Sequence, residues 1–319
     1  MYRGEVVTAV MVGESPREAL GDRPRVGFVT TSAASPVNPL PAGALVLAGT
    51  PIGNLNDASP RLRDALAGAD VVAAEDTRRA RKLASGLDVV IRGRLVAHHE
   101  HNEVASAAEL LEAVRSGATV LVVSDAGMPT VSDPGYRVAA AAAAEGLTVT
   151  VLPGPSAVLS ALAVSGLPSD RFVFEGFLPR KAGQRAERLR ELDGERRTMV
   201  FYEAPHRLGA MIEALALGFG ADRRAVIARE LTKLHEEVLR GSLGELHERV
   251  ETEGIRGEIV VVVEGAPAPP PERAEDLVGE VEAKVAEGTR LKEAAGAVAA
   301  AHGVSKRELY ESVLAARDA

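Results

Sequence analysis

The chain has 319 residues, of which 46% are apolar, with no cysteine, no tryptophan and a net charge of −8 at pH 7. The absence of cysteine excludes disulfide scaffolds, thiolate metal sites and thiol catalysis, and it suits a reducing cytoplasm. The low aromatic content and the negative net charge argue against a protein that binds nucleic acid over its whole surface. Neither property excludes a local basic face.

The length predicts two domains, with room for a small third. No apolar stretch approaches the ~20 residues that cross a bilayer, and the N-terminus does not have the pattern of a signal peptide. Residues 1–42 mix Gly, Ser, Pro and charges without periodicity, so we expect a poorly ordered extension there.

From residue 43 to residue 164, apolar runs alternate with helical patterns. Strands are predicted at 45–48, 71–74, 120–123 and 148–152. Helices are predicted near 59–67, 79–85, 104–115 and 134–145, and another follows residue 157. Strands that alternate with helices predict βαβ units and a mainly parallel sheet.

A second α/β domain is predicted at 165–265. Its strands are expected at 172–175, 199–202, 225–229 and 258–263, with helices near 183–192, 206–217 and 243–251. Periodicity does not settle how these strands pair. A proline-rich linker at 266–272 precedes a helical domain at 273–319, with helices at 275–287, 291–302 and 306–316. The last two helices have the outline of a helix-turn-helix, and a plain helical pair is the alternative.

The stretch from 120 to 135, VLVVSDAGMPTVSDPG, organises the first domain. Its buried strand ends in Ser124 and Asp125, and ligands of open α/β sheets bind at the carboxyl ends of strands. Asp133 and Pro134 are expected to begin the next helix as its cap and first residue.

Three loops of the first domain, at 51–54, 124–135 and 153–157, are rich in Gly and Pro and expose backbone N–H groups. Together they suit a small zwitterionic or nucleotide-like ligand held by main-chain contacts. Neither a phosphate-binding loop nor a dinucleotide fingerprint is present, which disfavours nucleoside triphosphates and nicotinamide cofactors.

Three polar segments leave two interpretations open. The run HHEHNE at 98–103 places His99 and His101 on one face of a predicted strand, but no further metal ligand is identifiable, so a polar rim or substrate-facing loop is favoured over a metal site. The clusters at 202–207 and 228–233 are either ordinary turns or parts of one shared site. The Arg-rich segment 180–197 fits a solvated amphipathic helix and a phosphate-tracking face equally well.

The motifs TPIGNL (50–55), AEDTR (74–78), HEHNE (99–103), SDAG (124–127), SDPG (132–135) and PGPSA (153–157) together resemble the ribosomal RNA ribose 2′-O-methyltransferases of the tetrapyrrole methylase superfamily. The resemblance continues through FEGFLP (174–179), YEAPHR (202–207) and ARELTK (228–233) and covers about 44–264. One departure is Met128, where the family usually has Thr.

The resemblance implies a two-domain tetrapyrrole-methylase-like fold with S-adenosylmethionine bound in the cleft between the domains, and a homodimer. The implied substrate is a cytidine ribose in the decoding region of 16S rRNA, within the small ribosomal subunit. Cofactor-binding residues carried over by the motifs are Pro51, Gly53, Ser124, Asp125, Ala126, Gly127, Met128, Ser132, Asp133, Pro153, Gly154, Ser156, Ala157, Phe177 and Tyr202. Residues expected to face RNA are Arg78, His99, His101, Asn102, Arg180, Lys181 and Arg207.

Methyl transfer from a sulfonium to a ribose hydroxyl is an in-line displacement that needs close alignment of two bound partners and neither a metal nor a covalent nucleophile. The hydroxyl loses its proton as the bond forms, and a positioned base assists. The candidates are Glu203, His206, Glu230 and Lys233, of which Lys233 first needs a lowered pKa. Glu230 or His206 is the favoured base.

Three rival functions remain open at this stage. A tetrapyrrole methylase would share the fold and cofactor but act on a porphyrinoid. A non-catalytic ribosome-assembly protein would be expected to have lost the cofactor loops, which are present here. A nucleotide-sugar transferase usually needs an acidic metal motif, which the sequence does not display.

Overall fold

The computed structural model describes residues 6–10, 27–31, 39–99, 101–267 and 273–318. The chain divides into two compact units, Met1–Gly265 and Ala266–Ala319. In the first 42 residues, β1 (Val6–Val10) pairs antiparallel with β2 (Gly27–Thr31), a pairing that the sequence analysis did not predict. Apart from residues 39–42, the rest of the predicted extension lies outside the described residues, as do residues 268–272 of the predicted linker.

The first large sheet is parallel throughout. It contains β3 (Ala44–Ala48), β4 (Val71–Ala74), β5 (Arg94–Ala97), β6 (Val120–Val123) and β7 (Thr148–Leu152) in the order β5-β4-β6-β3-β7. The predicted parallel sheet is confirmed. Only β5 was missed, because this edge strand is half-buried and its apolar run, LVA, is only three residues long.

Both faces of this sheet are covered by helices, which is why its central strands are apolar at every position. Helices α1 (Pro60–Gly68) and α2 (Thr77–Gly86) pack on one face, around Leu62, Leu66 and Leu121. Helices α3 (Glu103–Arg115) and α4 (Tyr136–Ala144) pack on the other face, around Leu110, Val122 and Val138.

The second sheet is mixed. Its strands are β8 (Phe172–Phe177), β9 (Thr198–Glu203), β10 (Arg224–Arg229), β11 (Glu237–Ser242) and β12 (Ile259–Val263), in the order β11-β10-β12-β9-β8. Only β8 and β9 run parallel. The strand β11 was not predicted because its sequence, EVLRGS, is mostly polar and its side chains are only partly covered.

Helices also cover both faces of the second sheet. Helices α6 (Ala182–Glu191), α7 (Leu208–Phe219) and α8 (Leu243–Glu253) pack on one face. Helix α5 (Ala157–Ser165) packs on the other, where Val158 and Leu162 contact the second sheet although the helix follows β7 of the first. The chain therefore passes from the first sheet to the second at 153–157. The predicted domain boundary after residue 164 stays a prediction.

The unit Ala266–Ala319 is helical. A 3-10 turn at Ala274–Leu277 leads into α9 (Val278–Ala286), followed by α10 (Leu291–His302) and α11 (Lys306–Asp318). Its core includes Val281, Val298 and Leu309 and contains no residue of the other unit. None of the helices that the structure describes is both long and apolar enough to cross a membrane.

Candidate active site in the cleft between the two sheets

A cavity of about 410 Å³ lies between the loops of the two sheets in the unit Met1–Gly265. Its volume falls in the range of small-molecule sites. The residues that line it are Ile52, Ala126, Gly127, Met128, Val131, Ser132, Asp133, Ser156, Ala157, Phe177, Tyr202, Glu203, Ala204, Pro205, Leu231, Gly257, Glu258, Ile259 and Val260.

The loops of the first sheet are held together by their own backbones. Thr50 donates its N–H to the Gly127 carbonyl at 2.8 Å and accepts the Gly127 N–H at 3.1 Å. The Ser124 hydroxyl donates to the same Gly127 carbonyl at 3.0 Å. Gly127 has φ +84°, a conformation that glycine adopts without strain. These bonds present the edge of residues 126–128 to the cavity as a rigid wall.

The loop after β7 approaches the loop after β3 very closely. A Cβ atom on Gly49 would lie 2.6 Å from the Gly154 Cα and 2.7 Å from the Met128 Sδ. Such contacts leave no room for a side chain at either glycine. Met128, the departure from the family pattern, therefore lines the cavity with its thioether packed against Gly49.

The start of α4 corrects one sequence-based expectation. The helix begins at Tyr136 after Gly135, and neither Asp133 nor Pro134 has the predicted position. The cap comes from another helix, because the buried Glu103 carboxylate accepts the N–H groups of Gly135 at 3.1 Å and Arg137 at 3.3 Å. Asp133 is thereby free to line the cavity instead.

Carboxylates dominate the polar part of the cavity wall. Asp133, Glu203 and Glu258 line it, and none of its described lining residues is Lys, Arg or His. Burial, reinforced by the nearby Glu75 carboxylate, raises the pKa of Asp133 to about 7. Burial also raises the pKa of Tyr202 to about 12, with Asp133 adding to the shift. The wall therefore complements a cation and opposes an anion.

Aromatic rings form another part of the wall. The rings of Phe177 and Tyr202 are tilted against each other with centroids 5.6 Å apart, and Phe174 meets Tyr202 edge-on at 4.9 Å. Phe177 remains 55% exposed, an unusual exposure for a large apolar side chain, and it faces the cavity. Such rings offer stacking and cation–π surfaces.

Glu203 is the most deeply buried of the four predicted catalytic candidates, at 4% exposure, and the only one that lines the cavity. Its Oε1 atom accepts the Ala204 N–H at 2.8 Å. Its Oε2 atom lies 3.3 Å from the Arg207 guanidinium, an ion-pair distance, but makes no well-aligned hydrogen bond among the described residues. This oxygen is buried beside the Arg207 guanidinium, and the Glu203 side chain is 1% exposed.

The other three candidates lie outside the cavity lining. Glu230 accepts the Lys233 ammonium and the Glu258 N–H, each at 2.8 Å, and these two bonds lower its pKa. Burial lowers the pKa of Lys233, but its hydrogen bonds to Glu230 and Glu258 outweigh that effect and raise it overall. The base role of Lys233 required a lowered pKa, so the structure argues against it. His206 is exposed.

The predicted cofactor residues divide into two groups. Those that line the cavity are Ala126, Gly127, Met128, Ser132, Asp133, Ser156, Ala157, Phe177 and Tyr202. Those that are not part of the lining are Pro51, Gly53, Ser124, Asp125, Pro153 and Gly154. Ser124 and Gly154 support the wall through the contacts given above. The Asp125 carboxylate accepts the Asp76 N–H at 3.2 Å and pairs with Arg79 at 3.3 Å.

The residues predicted to face RNA are scattered over the surface. Arg78, Arg180, Lys181 and His101 are exposed. Asn102 is engaged locally, because its amide accepts the His99 N–H and donates to Ala97.

Two of these predictions meet a different local structure. The strand β5 ends at Ala97, so His99 and His101 lie in a loop and not on one strand face as predicted. No group of three potential ligands forms a metal site in the described part of the chain. Arg207 is half-buried and donates to the Leu178 carbonyl at 2.7 Å, so it ties β9 to the loop after β8.

Several lining residues were missed by the sequence analysis, notably Leu231, Gly257 and Glu258. Residues 257 and 258 precede β12, which runs antiparallel to its neighbours. A search of carboxyl strand ends therefore passes over them, and only the pairing of β12 with β9 and β10 brings them to the cavity.

Comparison with known proteins agrees with this geometry. The family model for tetrapyrrole (corrin/porphyrin) methylases matches residues 44–247. Ribosomal RNA small subunit methyltransferase I of Mycobacterium tuberculosis (strain CDC 1551 / Oshkosh) is 55% identical over 277 residues, which cover 86% of this chain and 96% of that protein. The protein of the same name from Escherichia coli O157:H7 is 41% identical over 274 residues, covering 85% and 95%.

Solved structures share the fold at lower identity. The cobalt precorrin-4 methyltransferase CbiF has a TM-score of 0.51 and 17% identity, covering 70% of this chain and 95% of that one. The methyltransferase CobJ also has a TM-score of 0.51, with 26% identity and coverage of 70% and 94%. The resemblance and the fold class drawn from the sequence motifs are therefore confirmed.

Proposed function

Because the chain belongs to the tetrapyrrole (corrin/porphyrin) methylase family, with ribosomal RNA small subunit methyltransferase I as its curated relatives, we propose that it methylates a cytidine ribose 2′-hydroxyl of 16S rRNA in the small ribosomal subunit. S-adenosylmethionine is the methyl donor. The observation that carries the assignment to this cavity is its wall of carboxylates and aromatic rings without a cationic side chain.

The cavity fits the methyl donor on chemical grounds. S-adenosylmethionine carries a sulfonium and an ammonium group against one carboxylate, and Asp133, Glu203 and Glu258 complement its net positive charge. Apolar and aromatic side chains such as Ile52, Val131 and Phe177 supply surface for its uncharged parts. When bound, S-adenosylmethionine supplies a methyl group that its sulfonium has already activated for transfer.

The side chains then have separate tasks. We assign Glu203 to accept the proton of the ribose hydroxyl, because it is the one predicted candidate that lines the cavity. Its Oε2 atom is buried beside Arg207, so the carboxylate must turn toward the cavity to reach the substrate. This assignment replaces Glu230 and His206 as the favoured base, since neither lines the cavity. Glu230 and Lys233 instead hold the loop 230–233 against Glu258, through contacts of 2.8 Å and 3.2 Å to the Lys233 ammonium.

The relatives distinguish the RNA assignment from the porphyrinoid rival. Proteins named ribosomal RNA small subunit methyltransferase I are 41% to 55% identical to this chain over most of its length, whereas the cobalt precorrin-4 methyltransferase is 17% identical. The intact loops around Gly127 and Gly154 argue against a non-catalytic protein that has lost its cofactor site.

RNA phosphates need cations, and those lie outside the cavity. Arg180 and Lys181 are exposed and have no carboxylate partner among the described residues, so we assign them to phosphate contact. A homodimer and a cytoplasmic location remain parts of this proposal.

The test is methyl transfer from labelled S-adenosylmethionine, with purified small subunits and naked 16S rRNA offered in parallel. The product is digested to nucleosides, which are then identified. Label in 2′-O-methylcytidine, with more label on subunits than on naked RNA, is the expected result. Absence of label from both RNAs, with binding of S-adenosylmethionine intact, would overturn the proposal in favour of a porphyrinoid substrate.

A further inference from the structure

Helix α2 has an unusual charge content. Its sequence, TRRARKLASG, contains four cationic side chains and no carboxylate. Every other described helix with two or more Lys or Arg residues also carries at least one Asp or Glu. A surface helix that needs only solubility usually interleaves both signs, as α6 and α11 do.

Three of these cations form one face of the helix. Arg78, Arg81 and Lys82 have i, i+3 and i+4 spacing, which places them on the same side, and all three are exposed. The opposite side is buried through Ala80 and Ala84. We call Arg78, Arg81 and Lys82 the α2 stripe.

The stripe is poorly neutralised by its surroundings. Arg78 pairs with Asp76 at 2.8 Å, but its side chain is 86% exposed. Arg81 and Lys82 have no carboxylate within ion-pair distance in the described ranges. The fourth cation, Arg79, lies off the stripe and pairs with Asp125. The uncompensated charge is therefore on the exposed side.

The start of the stripe is tied to the cavity wall. The Asp76 N–H donates to the Asp125 carboxylate at 3.2 Å, and Arg79 reaches the same carboxylate at 3.3 Å. Asp125 directly precedes Ala126, which lines the cavity. The stripe begins beside this loop, and Arg78 to Lys82 spans about 6 Å along the helix axis. That distance covers about two phosphates of one strand.

The geometry points to the α2 stripe as a docking surface for RNA phosphates next to the target nucleotide. The only charged side chains in the described lining of the cavity are carboxylates. An RNA whose ribose enters the cavity must therefore keep the flanking phosphates outside it, where cationic side chains can bind them. The α2 stripe meets this requirement on the helix that contacts Asp125, the residue directly before the cavity-lining Ala126. The inference rests on the proposed function and adds a second contact surface to Arg180 and Lys181.

The experiment compares two double charge reversals with the same change in net charge. The stripe variant is Arg81→Glu/Lys82→Glu. The control is Arg92→Glu/Arg171→Glu, which reverses two exposed cations that precede β5 and β8, at the strand starts, away from the loops that line the cavity. Binding to purified small subunits is measured over a salt series, and S-adenosylmethionine binding is measured by calorimetry.

The stripe variant is expected to weaken subunit binding about tenfold or more at low salt, whereas the control changes it less than about twofold. The slope of log K against log salt should fall by about 1.5, the value for two lost phosphate contacts. S-adenosylmethionine affinity should stay within about twofold for both variants. Arg81→Gln/Lys82→Gln, which removes charge without reversing it, should show the same slope.

Two results would overturn the inference. If the stripe variant and the control lost subunit binding equally, the loss would be an effect of net charge and not of the α2 stripe. A loss of subunit binding with an unchanged salt slope would point to a protein contact and not to phosphates. Failure of the proposed function is distinct from both, since it would appear as an unmodified RNA product with the unaltered chain.

Discussion

At the scale of single residues, Glu203 is the side chain whose role depends most on burial. Glu203→Gln keeps the size and the acceptor to Ala204 but removes the charged base. We expect kcat for RNA methylation to fall about 100-fold or more, with KM for the RNA within about threefold. The difference in kcat between the variant and the unaltered protein should decrease as the pH rises, because hydroxide in the solvent then removes the hydroxyl proton more easily.

Glu258→Gln is the matched control for that variant. Glu258 lines the same cavity, but its side chain is 72% exposed and pairs with Lys233 at 3.2 Å. Its replacement should change kcat less than about fivefold, since an exposed ion pair contributes little. Equal losses of kcat in both variants would refute a special role for Glu203.

Asp133 makes the cavity sensitive to pH. The fold raises its pKa from 3.8 to about 7, so the fold favours the protonated form. The stabilisation is complete below about pH 4 and is lost as the pH rises through 7. Asp133→Asn, which resembles the protonated form, should therefore raise the melting temperature of the ligand-free protein by about 3 °C or more at pH 8, by less at pH 5, and leave it unchanged below about pH 4.

The same residue links protons to the cationic ligand. Ionised Asp133 attracts a cation, so S-adenosylmethionine affinity should increase between pH 6 and pH 8, with release of a proton at pH 6. Calorimetry in buffers of different ionisation enthalpy measures that proton. An Asp133→Asn protein that kept the full pH dependence would show that another group is responsible.

At the scale of secondary-structure elements, the start of α4 depends on a carboxylate from α3. Glu103 accepts the N–H groups of Gly135 and Arg137 and pairs with the Arg137 guanidinium at 3.1 Å. Glu103→Ala should lower the free energy of unfolding by about 2 kcal/mol, because buried N–H groups lose a charged acceptor. It should also weaken S-adenosylmethionine binding, since the neighbouring Asp133 loses its support.

Glu109→Ala, on the exposed side of the same helix, is the comparison. Glu109 pairs only with Arg94, and both side chains are about half exposed. Its removal should cost less than about 0.5 kcal/mol in denaturant unfolding. If Glu103→Ala lowered the free energy of unfolding by no more than Glu109→Ala does, the capping interaction would not contribute measurably to stability.

At the scale of the whole molecule, the two compact units have separate cores. Each cluster of buried apolar residues lies entirely within Met1–Gly265 or within Ala266–Ala319. All cavity-lining residues belong to the first unit. A chain that ends at Gly265 should therefore fold and bind S-adenosylmethionine with an affinity within about twofold of the full chain. Thermal unfolding and calorimetry on both chains test this, and loss of cofactor binding in the shorter chain would contradict it.

The sequence alone was sufficient for the elements with strong local signals. Central strands such as β6 and β12 are uninterrupted apolar runs, and α1 begins at Ser59 and Pro60 with a side-chain cap, as predicted. Edge strands β5 and β11 were missed because half-buried positions tolerate polar residues. The pattern of apolar residues therefore identifies strands that are buried on both faces much more reliably than strands that are buried on one face.

The motifs of consecutive residues determined the fold class, the family and which loops we propose to hold the cofactor, because glycine-rich turns at strand ends depend on local backbone geometry. Tertiary structure decided which side chains meet. Only strand pairing brings Glu258 to Glu203's cavity, and only the packing of α3 against α4 lets Glu103 replace Asp133 as the cap. Burial then decided the chemistry: it places Glu203 Oε2 beside the Arg207 guanidinium and raises the pKa of Asp133 to about 7, whereas Lys233 is held by two carboxylates. Each of these features depends on contacts between residues that are far apart in the chain, and a local sequence pattern does not encode such contacts.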